Sequence, residues 1–271
     1  MARVRRWLLQ GAVAAALLFV LAGCSAVPDK SDKVLDEWSK GLRLGAASLN
    51  QPLAMQVDPT GSPVHLAWSQ AGAQGMEMRY LRLENGTERG VEQPLAPPQF
   101  FPRQPHLVLG SQGLLHIFFL ASEGRGQPDG VYQALVGSDG RFAGPVVRRT
   151  PLDRAASGYR ALAGPQGGIH LLWCDEAVSG GGIYHSVVPE ADGEAGPARL
   201  VIPGGREVDA VVDRQGVLHL AWVEQPAERE RNIRYGRLEA ESDALLGAQT
   251  VGSAPDEIGL ITYPPRLGLD S

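Results

Sequence analysis

One position in this chain changes its chemistry at each turn of a repeating pattern. Four residues before a recurrent turn stand Ala54, His106, Arg160, Asp209 and Arg266. Two guanidiniums, an imidazole and a carboxylate at equivalent positions make a polar ring of mixed charge, which is where a ligand site is expected. Arg103, within Phe101-Pro102-Arg103-Gln104-Pro105, joins them as a further binding candidate. Other polar residues recur too regularly to be a site. His65, His116, His170 and His219 stand at matching positions in every copy, and a single binding or catalytic centre breaks repeat symmetry. They are read as hydrogen-bonding residues between neighbouring repeats, with no metal expected. Asp58 and Asp213 are expected to bond the backbone of their own turns. Asp175-Glu176 reads as a loop, and Cys174 has no neighbour in sequence that would activate a thiol. No catalytic residue and no cofactor are assigned.

The repeat itself dictates the elements that carry these residues. Four segments align without gaps: DPTGSPVHLAW from Asp58, GSQGLLHIFF from Gly110, GPQGGIHLLW from Gly164 and DRQGVLHLAW from Asp213. Their histidines lie 51, 54 and 49 residues apart. A tyrosine follows 14 to 16 residues later in a second β-like run, at Tyr80, Tyr132, Tyr184 and Tyr235. Each unit reads as four short strands: a small-apolar run, the His-Leu-x-Trp strand, the Tyr strand and a weaker outer strand. Four-stranded units of about 50 residues are propeller blades, so the fold class is an all-β propeller. One blade has two apolar faces and must stack between neighbours. The blades are expected at about 53–97, 105–151, 159–203 and 208–253, with strands of a fifth starting at 265–271. The first strand of each blade lines the central channel, which places the variable ring at one rim.

Composition agrees with a turn-rich β protein. Of 271 residues, Gly (34) and Pro (20) are about a fifth, 44% are hydrophobic and only 20% charged. That is too apolar for disorder and too rich in turn-formers for a helical bundle. With 25 basic against 30 acidic residues, a net charge of −5, the chain has no basic footprint for nucleic acid. Two cysteines cannot make a disulfide framework.

The first 23 residues read as an address rather than structure. Arg3, Arg5 and Arg6 precede an apolar run from Trp7 to Leu21. Leu21-Ala22-Gly23-Cys24 resembles a bacterial lipobox, which implies cleavage before Cys24 and acylation of its thiol. Two or three acyl chains, at roughly 0.8 kcal/mol per buried CH₂, hold a protein stably at a membrane. Residues 24–40 then form the lipidated cysteine and a polar tether containing Lys30, Lys33 and Lys40, all the lysines of the chain. Removing the leader leaves 22 basic against 30 acidic residues, or −8, so the lipid and not the protein's field must provide membrane attachment. The expected location is the cell envelope, outside the cytoplasm.

Residues from about Leu42 onward resemble the sialidase-like, or BNR-repeat-like, β-propeller proteins of bacterial envelopes. The match departs from the strict Ser-x-Asp-x-Gly-x-x-Trp box: Gly110 and Gly164 replace the turn aspartate, and Trp68 comes seven residues after Gly61. Such blades serve enzymes and binding scaffolds alike. The resemblance implies a carboxylate- or glycan-gripping role for Arg103, Arg160 and Arg266, since a guanidinium binds a carboxylate in two places. Two functions are therefore expected: a binding or scaffold module for a protein or glycan, or a sialidase-like glycoside hydrolase. The second needs opposed acid groups or a tyrosine nucleophile, and no short motif supplies them. Asp270 falls where Asp58 and Asp213 stand, in the turn of a fifth blade. The chain is thus expected to be a shortened version of a longer protein; its rival is a small ring that closes by itself or by dimerisation.

Overall fold

Each of the four repeated phrases forms the first turn and the second strand of its own antiparallel sheet. The computed structural model describes residues 52–268, with breaks at 74, 85–87, 91, 97–100, 125, 178, 192, 228–229, 240–241 and 256–264. These belong to one unit, Ala46–Ser271. The leader, Cys24, the tether and Asp270 lie outside the described residues.

The first blade contains β1 (Ala54–Val57), β2 (Val64–Gly72) and β3 (Gly75–Glu84). Its outer strand is broken into β4 (Glu88–Arg89) and β5 (Gln93–Ala96), both paired with β3. The second runs β6 (Arg103–Leu109), β7 (Leu115–Ala121), β8 (Gly130–Val136), β9 (Val147–Arg148). The third is β10 (Gly158–Ala163), β11 (Ile169–Asp175), β12 (Gly182–Val188), β13 (Arg199–Pro203). The fourth is β14 (Arg206–Val212), β15 (Leu218–Ala227), β16 (Glu230–Glu239), β17 (Ala244–Pro255). Among the described residues every regular element is a strand, and neighbours in sequence are neighbours in each sheet. The structure is an all-β propeller of four-stranded blades.

The turn between first and second strands explains the conserved spacing within the repeat. Gly61, Gly113, Gly167 and Gly216 all take φ between 75° and 89°, a left-handed conformation that glycine adopts without steric cost. Asp58 and Asp213 do bond their own turns, Oδ1 accepting from Thr60 N and Gln215 N at 2.9 Å.

Blades pack in chain order, β1 and β2 on β6, β6 on β10, and β10 and β11 on β14. Three apolar layers fill the seams. Ala67, Met78 and Tyr80 meet Leu115, Ile117 and Phe119; Phe118, Leu120 and Val131 meet Ile169, Leu171 and Trp173; Leu172, Cys174 and Ile183 meet Leu218, Leu220 and Trp222. Alternation in β2, β7, β11 and β15 thus sends one set of side chains backward and the other forward.

The repeated histidines differ from expectation. They bond across the two middle strands of their own blade, not between blades: His65 Nδ1 to the Tyr80 hydroxyl at 2.8 Å, His116 Nδ1 to Gln133 Nε2 at 2.6 Å, His170 Nδ1 to His185 Nε2 at 3.1 Å and His219 Nδ1 to the Tyr235 hydroxyl at 2.7 Å. The four partners are register-equivalent, each two residues before the one opposite the histidine. Tyr132 and Tyr184 are therefore not equivalents of Tyr80 and Tyr235. They sit on the other face, stacked on Phe119 and Trp173.

Tyr80 is fully buried, so Tyr80→Phe strands the His65 nitrogen without a partner. The expected cost is about 1–2 kcal/mol, read as a lower urea midpoint with unchanged slope. An unaltered midpoint would show that the repeated His–Tyr bond contributes nothing.

Candidate functional site

The first strands converge on a cavity of about 800 Å³. Its walls come from all four blades and from residues 266–267: Leu53 and Met55, Gln104 and His106, Tyr159 and Arg160, Glu207 and Asp209, and Arg266. Of the sequence-derived ring, His106, Arg160, Asp209 and Arg266 line this one space, as does Ala54. Arg103 does not. It turns to Asp129, holding both carboxylate oxygens.

Local backbone geometry aims these side chains. The pairing of β6 with β7 slips between Arg103 and His106, and that of β14 with β15 slips between Arg206 and Asp209. Within those bulges Gln104 and Glu207 hold φ of 52° and 50°, left-handed values that cost a non-glycine residue of order 1 kcal/mol or more. Bulges re-aim side chains at the rims of barrels and beside active sites. Here they bring His106 and Asp209 to the channel.

Arg160 and Asp209 bridge the third and fourth blades, Nε to Oδ1 at 2.5 Å. Arg160 Nη1 donates to Tyr159 O at 3.1 Å, and the second Asp209 oxygen accepts from Leu267 N at 2.8 Å. That last bond holds Leu267 against β14; residues 265–268, where the inner strand of a fifth blade was expected, form no strand. The Tyr159 hydroxyl donates across the second seam to Gln104 O at 2.6 Å. His106 Nδ1 accepts from Ala161 N at 3.4 Å. Burial, reinforced by Arg160 and Arg266, lowers its pKa to about 4, so the ring is neutral at physiological pH.

Among the described residues lining the cavity the carboxylates are Glu207 and Asp209. Both rise from β14 and both are engaged, Glu207 by Arg231 Nη1 at 3.2 Å. Acids on one strand cannot flank a glycosidic bond from two sides. Asp175, from the Asp-Glu pair, is buried and bound by Arg154 Nη1 at 3.1 Å, in a separate hollow of about 340 Å³. Burial pushes the Cys174 thiol up to about 11, which makes it a poor nucleophile. Among the described residues no three His, Cys, Asp or Glu side chains cluster as metal ligands.

Sequence reasoning missed Tyr159, Gln104, Leu53 and Met55 as cavity residues. Tyr159 had one available signal, its place directly before the variable Arg160; the bulges had none.

No protein-family model matches the chain, and no curated protein does. Solved structures do match in fold. A protein of unknown function from Dyadobacter fermentans DSM 18053 superposes with a TM-score of 0.53 at 11% identity, over 73% of this chain and 63% of that one. An exo-β-1,3-galactanase from Clostridium thermocellum gives 0.51 at 10% identity, over 73% of this chain and 47% of that one. An endo-arabinase from Bacteroides thetaiotaomicron VPI-5482 gives 0.48 at 16% identity, over 74% of this chain and 81% of that one. The chain thus spans about two thirds and about half of the first two. At such identities the likeness is one of architecture: this chain is similar to β-propellers, among them glycan-cleaving ones, in the order and stacking of its blades.

Proposed function

We propose that this protein is a membrane-anchored, extracytoplasmic β-propeller that binds a glycan at the channel mouth without cleaving it. The carrying observation is the cavity: variable polar residues from separate blades converge there, whereas the carboxylates present share one strand and are already paired. A sugar is the class to test first, because the same architecture is used by the exo-β-1,3-galactanase described above. The sialidase-like character is confined to the blade phrase and carries no catalytic assignment. Cys24, acylated after cleavage of the leader, would hold the propeller at the membrane through residues 25–40.

Two measurements test this. The full chain is applied to immobilised oligosaccharides, and separately to fluorogenic sialosides, arabinofuranosides and galactosides. Binding without turnover is expected, and Arg160→Ala should weaken it by about tenfold or more, the worth of one charge-assisted contact. Turnover that disappears in Arg160→Ala would replace this reading with a hydrolase. For the anchor, Cys24→Ser is expected to move the protein from the membrane to the soluble fraction; retention in the membrane would remove the lipid from the account.

A further inference from the structure

Gln104 is held in a conformation that its own sequence resists. It is a non-glycine residue at φ 52°, and it stands directly before Pro105, whose ring pushes the preceding residue towards extended backbone. Pro105 explains why β6 breaks its register here, since a proline has no N–H for a ladder and within strands is confined to edges and bulges. It does not explain the left-handed turn of Gln104, which persists only where the surroundings hold it.

The register of β6 on β7 shows what the bulge decides. Arg103 stands opposite Leu120 and His106 opposite Phe118, so Gln104 and Pro105 together span the place of Phe119. Without the extra residue Gln104 would stand opposite Leu120 and Arg103 opposite Ala121, which turns Arg103 to the other face of the sheet. In the bulged strand Gln104 lines the cavity and Arg103 is paired with Asp129. The first strands of the first and third blades pair without any such shift.

The third blade supplies the hold. Tyr159 on β10 is buried, and its hydroxyl donates across the seam to Gln104 O at 2.6 Å. Burial pushes that hydroxyl well above its ordinary pKa, so it stays a donor. The Tyr159 ring lies against His106 at 6.3 Å between centroids, and two residues on Ala161 N reaches His106 Nδ1 at 3.4 Å. Alternate residues of β10 thus clamp residues 104 and 106 of β6, while Arg160 between them points to the opposite seam and Asp209.

We propose that Tyr159 is the positioning residue of the channel mouth: its hydroxyl holds the Gln104 carbonyl, and with it the bulge that seats Gln104 at the mouth and withholds Arg103. This rests on the reading of the channel as the ligand site. Tyr159 thereby sets the polar character of the second blade's rim, where a neutral amide faces the cavity and a guanidinium is neutralised by Asp129.

The test follows the backbone first and binding second. In the full chain, the Cα shift and the HN–Hα coupling of residue 104 report a left-handed φ, and the guanidinium signals of Arg103 report its pairing with Asp129. Tyr159→Phe, which keeps the ring, should move residue 104 to extended backbone and free Arg103. Gln104→Val should do the same with Tyr159 in place, since a β-branched residue does not hold a positive φ. Tyr159→Phe combined with Gln104→Gly should return residue 104 to the left-handed region, because glycine needs no hold there. On the immobilised oligosaccharides Tyr159→Phe should weaken binding about tenfold, the effect of one displaced hydrogen-bonding contact. In the Gln104→Gly background the same change should cost less than about twofold. Melting curves of each variant check folding. A left-handed residue 104 in Tyr159→Phe overturns the proposal, as does an equal loss of binding in both backgrounds. Unaltered Arg103 signals in Gln104→Val overturn the link between bulge and mouth, whatever the folding of Tyr159→Phe. If the parent itself binds no oligosaccharide the glycan reading falls, and the backbone signals alone decide whether Tyr159 holds the mouth.

Discussion

Thermal stability of this protein should fall steeply as pH drops from about 6.5 to 4. His116 and His170 are buried, and burial lowers both to a pKa of about 4, from 6.5 for a free imidazole. Between those values each is neutral in the folded chain and charged in the unfolded one. The unfolded chain then binds more protons, so the contribution is fully present above about pH 6.5 and is lost as pH falls towards 4. Each histidine is worth about 3 kcal/mol by pH 4, a large share of a typical stability of about 5–15 kcal/mol. His106 acts in the same direction. The measurement is a series of melts from pH 8 to 4, with proton uptake on unfolding followed at pH 5. About two to three protons are expected per chain. A melting temperature that stays level between pH 7 and 4.5 would show that these rings charge inside the fold.

Glu190→Ala is expected to cost about 2 kcal/mol, the usual worth of a hydrogen-bonded buried charge. Glu190 lies in the third blade, between β12 and β13, and completes a turn of the second. Its oxygens accept from Ser111 N at 2.9 Å, Ser111 Oγ at 2.7 Å and Gln112 N at 3.2 Å. Burial works to raise its pKa, but these bonds hold it below the ordinary carboxylate value. Its contribution is therefore present above the ordinary carboxylate range and is lost as pH falls through that lowered value. Glu190 does for this turn what Asp58 and Asp213 do for theirs, and Gly110 stands where the aspartate would be. A Cβ on Gly110 would come within 3.1 Å of the Glu190 carboxyl carbon. Gly110→Asp alone should thus destabilise by juxtaposing two carboxylates, yet should restore part of the loss in Glu190→Ala. Urea denaturation of the four proteins reads the coupling, and strict additivity would refute the substitution of one carboxylate by the other.

The architecture was legible because blades repeat locally. A left-handed glycine, a histidine and an aromatic at fixed offsets report a hairpin that folds within about twenty residues of itself. The polar ring was legible for the opposite reason: it varied where everything around it was constant. Parity was the first thing hidden. Tyr132 and Tyr184 lie one residue from register with Tyr80 and Tyr235, and a shift of one sends a strand residue to the other face. Gln133 and His185 occupy the true positions, though their side chains have no family likeness to a tyrosine. Distance in sequence hid the rest. Glu190 reaches Ser111 over 79 residues and Asp243 reaches His185 Nδ1 at 2.5 Å over 58, and no periodicity announces such pairs. Arg103 looked equivalent to Arg160 from its flanking residues, but the bulge before His106 gives it to Asp129 instead.

The polar bonds between blades have a common direction. Glu190 of the third blade finishes a turn in the second, and Gly193 O receives Arg149 Nη1 of the second at 2.7 Å. Asp243 of the fourth finishes a histidine pair in the third, and Leu267 N finishes Asp209 in the fourth. Each blade is thus completed by chain that follows it. A polypeptide emerging from its N-terminus cannot seal these units one by one, since every unit waits for its successor. Order would spread backward from late-arriving residues, and the early blades would stay open until most of the chain had emerged.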